Sequence, residues 1–317
     1  MRAPRFSIVV PVYNRPNEIQ ELLESLTHQT NKDFEVILVE DGSSITSEKV
    51  YADYASRLTI HYYYKANSGP GPSRNFGFER ARGEYFVVFD SDCIIPEHYF
   101  ESVEKFLNTE PLNAWGGPDR GHQKFTLVQQ AMGYTMASVF TTGGIRGGKS
   151  SGFQPRSFNM GISRKVFEQT GGFKFDRLAE DIELSVRMRK QGFRIGLIPD
   201  AYVYHKRRAN FSEFFNQVKN FGKGRALVGK AHAGEVKVTH WFPAFFLIGI
   251  LLSVVLLPIF KGLALTGFVF YGVYLVSIFV DCCLTTKSVM VALLSVPAAL
   301  VQLTGYGYGF LKEMLSR

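Results

Sequence analysis

Tyr85-Phe86-Val87-Val88-Phe89-Asp90-Ser91-Asp92 is five apolar residues in a row running into two aspartates spaced two apart. A short apolar run without alternation is what a strand buried on both faces requires. Upstream the same grammar repeats. Phe6–Val12 (FSIVVPV) is apolar and β-branched and stops at Tyr13-Asn14-Arg15-Pro16; Glu35–Val39 stops at Glu40-Asp41-Gly42-Ser43; Leu58–Tyr64 is a third candidate strand. Between these runs the period changes. Ile19, Leu22, Leu23 and Leu26 put an apolar face on a helix from about Asn17 to Gln29, and Gly69–Arg82 opens on Gly and Pro before turning helical.

Strands alternating with helices predict βαβ units and a mostly parallel sheet in an α/β domain. Asn14, Asp41, Asp90 and Asp92 each follow the end of a strand. Open α/β sheets bind ligands in the crevice beyond the carboxyl ends of their strands, so the carboxylates gather at one mouth. Asn113–Ser157 is rich in Gly and polar residues and reads as loops. Gly143-Gly144 and Gly147-Gly148-Lys149 within it fit either a lid or a plain surface loop. Regular signals return at Ser157–Ser163 and in a helix beginning near Glu180.

The 317 residues carry a net charge of +8 and a mean hydropathy near zero, an average over two unlike halves. Beyond Trp241 charge nearly disappears. Trp241–Phe260, Gly262–Val280 and Val289–Leu311 each have about the length that crosses a ~30 Å hydrocarbon core. The third holds Gly305, Gly307 and Gly309 and could instead be re-entrant or lie on the surface. Lys206 to Lys237 carries eight basic and two acidic residues, hence +6 of the +8, just before the first apolar run. That predicts a cytoplasmic flank on anionic headgroups and excludes a nucleic-acid partner, because lipid accounts for both features. Phe211, Phe214, Phe215, Val218 and Phe221 give the same segment an apolar stripe, suiting a helix in the headgroup plane or one packed on the catalytic domain. Three cysteines, two of them adjacent, imply reduced thiols rather than a disulfide framework. The apolar run Phe6–Val12 is too short for a signal sequence.

Carboxylates at i and i+2 after a buried strand can put one oxygen pair on a divalent cation and another near a ribose. A cation held there offsets the charge of a departing diphosphate. Taken alone, the pair is a weak signal that more often marks a solvated turn or a helix cap. The order of motifs carries more: Pro11-Val12-Tyr13-Asn14, Glu40-Asp41-Gly42-Ser43, Asn67-Ser68-Gly69 with Arg74-Asn75, Asp90-Ser91-Asp92, Gly171-Gly172-Phe173 and Glu180-Asp181. Over residues 5–205 this resembles the family 2 glycosyltransferases, inverting enzymes of the GT-A nucleotide-sugar fold.

The resemblance implies a Mg²⁺- or Mn²⁺-bound UDP- or GDP-sugar as donor. Pro11, Tyr13, Asn14 and Asp41 would line the base and ribose pocket. Asn67 and Arg74 would complete the nucleotide side, Asp90 would sit by the ribose or sugar, and Asp92 would hold the metal. Asp181 matches the family's catalytic base. In-line displacement needs such a base on the acceptor hydroxyl, although a carboxylate at a helix N-terminus is also a dipole-favoured cap. His205 is a further candidate metal ligand or a structural strand-end histidine. Glu180, Gln217 and Phe221 fall on the acceptor side. Processive relatives carry Gln-x-x-Arg-Trp where this chain reads Gln217-Val218-Lys219-Asn220-Phe221, so a single transfer to a lipid-linked or membrane-proximal acceptor is expected. Two rival readings are a polyprenyl-phosphate sugar synthase and a non-catalytic nucleotide-sugar-binding membrane protein. The expected division is a catalytic domain over 1–205, an interfacial segment over 206–240 and membrane spans over 241–317, anchored in the cytoplasmic membrane with the catalytic domain inside the cell.

Overall fold

The computed structural model describes residues 2–120, 125–142, 153–205 and 208–316. The chain divides into two compact units. One comprises Met1–His122 with Lys149–Lys206, the other Gln123–Gly148 with Arg207–Arg317. The division is not the single cut near residue 205 expected from sequence: a stretch between two strands of the first unit belongs to the second. The loop glycines Gly143, Gly144, Gly147 and Gly148 lie outside the described residues.

The first unit opens with β1 (Phe6–Val12), α1 (Pro16–Thr27), β2 (Phe34–Asp41), α2 (Glu48–Tyr54), β3 (Ile60–Lys65), α3 (Pro70–Phe78) and β4 (Tyr85–Phe89). Next come β5 (Cys93–Ile94), α4 (Tyr99–Thr109), β6 (Ala114–Gly116) and β7 (Asp119–Arg120). The chain later returns with β8 (Asn159–Ser163), α7 (Arg164–Thr170), α8 (Glu180–Lys190), β9 (Ile195–Leu197) and β10 (Val203–His205). Seven strands form one sheet in the order β3-β2-β1-β4-β8-β6-β9, with β8 antiparallel to both neighbours and the other pairs parallel. The mixed, mostly parallel α/β sheet is thus present. A small second sheet, β5-β10-β7, stands beside it.

Both faces of the main sheet are covered. Phe6, Ile8, Val10 and Val12 alternate onto the face of α1 and α4, packing with Leu22, Leu26, Phe100 and Val103. Val9, Ile37, Phe86 and Val88 take the other face with Phe78, Val166, Leu184 and Met188. This is why the central strands read as continuous apolar runs. The last β1–β4 pair is Val9↔Val88, while β1 stays paired to β2 through Val12↔Glu40. Pro11, which has no N–H to donate, falls where the sheet has already opened on its β4 side. That opening is the crevice at the strand ends.

The second unit holds α5 (Leu127–Ala137), α6 (Val139–Thr142), α9 (Phe211–Ala231), a 3₁₀ turn (Val238–Trp241), α10 (Phe242–Leu256), α11 (Lys261–Thr286) and α12 (Val289–Leu315). Three helical stretches, Val238–Leu256, Lys261–Thr286 and Val289–Leu315, are long and apolar enough to cross a membrane. The glycines of α12 are close-approach positions. A Cβ on Gly309 would fall on the Lys219 carbonyl of α9, and one on Gly307 on the Pro243 carbonyl at the start of α10. Tyr134 of α5 donates a hydrogen bond to the Asp281 carboxylate of α11.

Candidate active site

The strand-end residues form a linked set. After β1 the chain turns at Asn14, whose φ of 54° an asparagine tolerates better than most residues. Its Oδ1 accepts hydrogen bonds from the N–H groups of Ser44 (2.9 Å) and Ile45 (3.0 Å), and its own N–H donates to Ser43 Oγ at 2.8 Å. Asn14 therefore clamps the loop after β2, and Tyr13 beside it is exposed.

Asp41 is buried and accepts three hydrogen bonds: from the N–H groups of Ser68 and Gly69, both at 2.8 Å, and from Lys65 Nζ at 2.6 Å. Burial alone would raise its pKa, but the Lys65 ammonium and the two backbone N–H groups together hold it below the usual carboxylate range. Asn67 donates to the Asp41 carbonyl at 2.7 Å and accepts from Arg177. Gly69, at φ 98°, starts α3; a Cβ there would press on the Asp176 carbonyl at 2.8 Å.

α3 then ties together two motifs far apart in sequence. Arg74, 2% exposed, donates to Glu180 Oε1 at 2.7 Å and to Asp90 Oδ1 at 2.8 Å, with its guanidinium 5.3 Å from the Phe173 ring centroid. Asn75 holds both the N–H and the carbonyl of Phe173 at 2.8 Å, and the Gly71 N–H reaches the Asp176 carbonyl at 2.9 Å. The segment from Phe173 to Ala179 is thereby pinned to α3. Ala179, at φ 57°, turns the chain into α8, whose first turn carries Glu180, Asp181 and Glu183.

Asp181 accepts from the Ser157 N–H at 3.3 Å and the Ile182 N–H at 2.7 Å, with Arg156 Nη1 3.8 Å away. Glu180 is buried. Its burial first, and the nearby Asp181 charge second, push its pKa up to about 7 against the pull of Arg74. Expected on the acceptor side, Glu180 is instead a strut between Arg74 and the start of α8. The folded state holds this proton more tightly than the unfolded chain. Relative to a Glu180→Gln variant, the protein should lose thermal stability as pH rises through about 7. Melting curves from pH 5 to 8 measure this, and parallel profiles for the two proteins would contradict it.

Asp92 is paired with Arg15, Nη1 to Oδ2 at 2.7 Å. Among the described residues no three His, Cys, Asp or Glu side chains cluster as a metal site. The donor set at the strand ends is still of the right kind. A small hard cation takes one or two carboxylates and completes its shell with phosphate oxygens and water. Asp92 and Asp90 offer hard oxygen ligands at the mouth, so they fit a Mg²⁺ or Mn²⁺ ion that arrives with a diphosphate. The antiparallel register sets His205 opposite Cys93, the residue after Asp92. The His205 side chain lies outside the described residues.

The structure thus brings together Pro11, Tyr13, Asn14, Asp41, Asn67, Arg74, Asp90, Asp92, Glu180 and Asp181 at the strand ends of one unit. Gln217 and Phe221 belong to α9 of the other. Phe214 and Val218 of the α9 stripe are buried while Phe221 is exposed, so the stripe is narrower than the sequence periodicity implied. Arg15, Lys65, Arg156 and Arg177 are site residues that sequence patterns do not single out. Each pairs with a carboxylate or amide of the set, and no shared sequence position marks them: Arg15 follows β1, Lys65 ends β3, Arg156 precedes β8 and Arg177 precedes α8.

Residues 7–171 match the profile described as Glycosyl transferase family 2, slightly more than half of the chain. Curated relatives include an uncharacterized glycosyltransferase of Haemophilus influenzae, 42% identical over 108 residues, which are 33% of this chain and 35% of the relative. The uncharacterized glycosyltransferase EpsJ of Bacillus subtilis is 36% identical over 36% of this chain and 33% of its own length. One from Rickettsia felis is 35% identical over 32% of this chain, but the match spans only 17% of that relative. Among solved structures, a mannosyltransferase from Pyrobaculum calidifontis in complex with GDP-Man and Mn²⁺ superposes with a TM-score of 0.62 at 18% identity. It covers 99% of this chain and 88% of its own. S. aureus TarS 1–349 in complex with UDP-GlcNAc gives 0.54 at 20% identity, over 97% and 91%. By its profile match and its strand-end constellation, this chain belongs to glycosyl transferase family 2.

Proposed function

We propose that this protein is an inverting glycosyltransferase that moves one sugar from a UDP- or GDP-sugar to a hydroxyl on a lipid-linked acceptor, at the cytoplasmic face of the membrane. The observation that carries the reading is the Asp90–Arg74–Glu180 chain. It fixes a candidate base, Asp181, in register with the strand-end aspartates. In-line displacement requires that a proton acceptor and a leaving-group site be held together. Asp181 takes the acceptor hydroxyl proton. Asp41, Asn67 and the Tyr13–Asn14 turn bind base and ribose, and Asp90 orients the sugar. Asp92 would hold the cation, which would offset charge on the departing diphosphate. His205 is a candidate second ligand, and Gln217 and Phe221 are candidate acceptor contacts.

Asp92 is paired with Arg15, so a cation held by Asp92 would replace that ion pair. Asp92→Ala should abolish the Mn²⁺-dependent part of UDP or GDP binding while leaving the weaker metal-independent part. Calorimetric titration with and without Mn²⁺ tests this, and an unchanged Mn²⁺ effect would remove Asp92 from the metal.

The apolar helices of the second unit favour one further reading, transfer to a polyprenyl phosphate. Mass spectrometry of the lipid products, after incubation with a panel of nucleotide sugars, separates a lipid monophosphate sugar from a glycosylated hydroxyl. The +6 segment supports contact with anionic lipid.

A further inference from the structure

Three apolar stretches are long enough to span, yet the packing of the last one is not that of a span. α9 and α12 run side by side in the same direction. Phe214 shares a cluster with Ala298, and Val218 and Phe215 flank Gly305. The Lys219 backbone meets Gly309, and Gly222 meets the backbone at Tyr306. Farther along, Lys230 Nζ bonds Glu313 Oε1 at 3.2 Å and the Ser316 carbonyl at 2.8 Å, and Lys223 lies 3.8 Å from Glu313. Whatever depth α12 reaches, α9 reaches with it. Lys219, Lys223 and Lys230 would then enter the hydrocarbon, where each basic side chain is costly.

The rest of the unit agrees. α10 and α11 pair as a hairpin through Phe246 and Tyr271, with ring centroids 4.9 Å apart, and through Phe242 and Tyr274 at 6.2 Å. α12 meets this hairpin at its open end. Its Phe310 ring packs on Trp241 at 5.0 Å, its Gly307 on Pro243 and Ala244, and its Val291, Ala292 and Ala299 on Ile278 and Cys282 near the end of α11. At the closed end every residue from Leu257 to Leu263 is exposed, although five of those seven are apolar. A third span alongside the hairpin would cover that end.

We infer that α12 is not a span. It lies with α9 as a two-helix layer in the headgroup region, capping a hairpin that alone crosses the bilayer. The partner of the basic α9 face is anionic phospholipid, and the segment after α12 stays on the side from which α9 starts. The inference rests on the membrane-anchored reading proposed above.

Single cysteines test it in the full chain, in a Cys283→Ser background whose remaining thiols are buried. Asp53→Cys, Gly262→Cys and Ser316→Cys are labelled with a membrane-impermeant maleimide in sealed vesicles of one orientation, and again in detergent to show that all three react. Asp53→Cys and Ser316→Cys should label from one side and Gly262→Cys only after the seal is broken, or the reverse in inverted vesicles. Ser316→Cys labelling together with Gly262→Cys, opposite Asp53→Cys, would establish a third span and overturn the inference. If all three label from one side, the anchor itself is wrong.

Discussion

Asp181→Asn is expected to bind nucleotide sugar within a few-fold of wild type and to lose transfer by about 10²–10⁴-fold, the range that a positioned general base contributes. The carboxylate accepts two backbone N–H groups, from Ser157 and Ile182, one on each oxygen. An amide keeps one oxygen, so one of those contacts is lost, at about 1 kcal/mol. That is too little to unfold the first turn of α8. Arg74, Asp90 and Asp92 are untouched, which is why donor affinity should persist. Single-turnover transfer measured alongside calorimetric donor binding separates the two effects. Retention of most turnover with a hydroxyl acceptor would exclude Asp181 as the base. An acceptor phosphate is already anionic and has no proton to give up, so retained turnover confined to a polyprenyl phosphate would identify that acceptor.

The parts of this site legible in the sequence are those where local pattern dictates geometry. A short, β-branched apolar run bounded by turn residues reads as an inner strand, and the residues just beyond its end stand at the sheet's edge. That rule alone puts Asn14, Asp41, Asp90 and Asp92 together. The hidden parts depend on partners distant in sequence. Arg74 and Glu180 are 106 positions apart, Arg15 and Asp92 are 77 apart, and no periodicity encodes such pairs. Glu180 is placed on the acceptor side by the family resemblance alone, and only the buried arginine reveals its contact with α3. The membrane half shows the same limit. Hydrophobic length and absence of charge mark three spans, and Gly305, Gly307 and Gly309 set the third apart without saying what it packs on; the parallel α9–α12 contact comes from glycines whose packing partners lie some 85 residues away, Gly222 against Tyr306 and Gly309 against Lys219. The excursion of α5 and α6 into the second unit rests on non-local contacts too, among them Tyr134 to Asp281.

Arg74→Met should be the most damaging single substitution in the catalytic unit, destabilising it by about 3–5 kcal/mol, the usual cost of removing one partner from a buried ion pair. Methionine replaces the aliphatic stem of the arginine but not its guanidinium, so most of the loss is the missing charge and its hydrogen bonds. Two carboxylates are stranded, but unequally. Asp90 stays partly open to water, while Glu180 is buried next to Asp181. Without the arginine, burial and the Asp181 charge act unopposed on Glu180, so its pKa rises further and its proton is held more tightly. Ionising Glu180 thus becomes costlier than in the wild type, and the destabilisation of Arg74→Met should grow as pH rises from 6 to 9. Adding Glu180→Gln should flatten that dependence and recover part of the lost stability, since the amide is neutral at every pH. Chemical denaturation of the four proteins of this double-mutant cycle at pH 6, 7.5 and 9 gives both quantities, with a coupling energy expected well above 1 kcal/mol. Additive effects with no pH trend would mean that Arg74 serves Asp90 alone. Asp181 would then be positioned by the Phe173–Ala179 loop and not by the ion-pair chain.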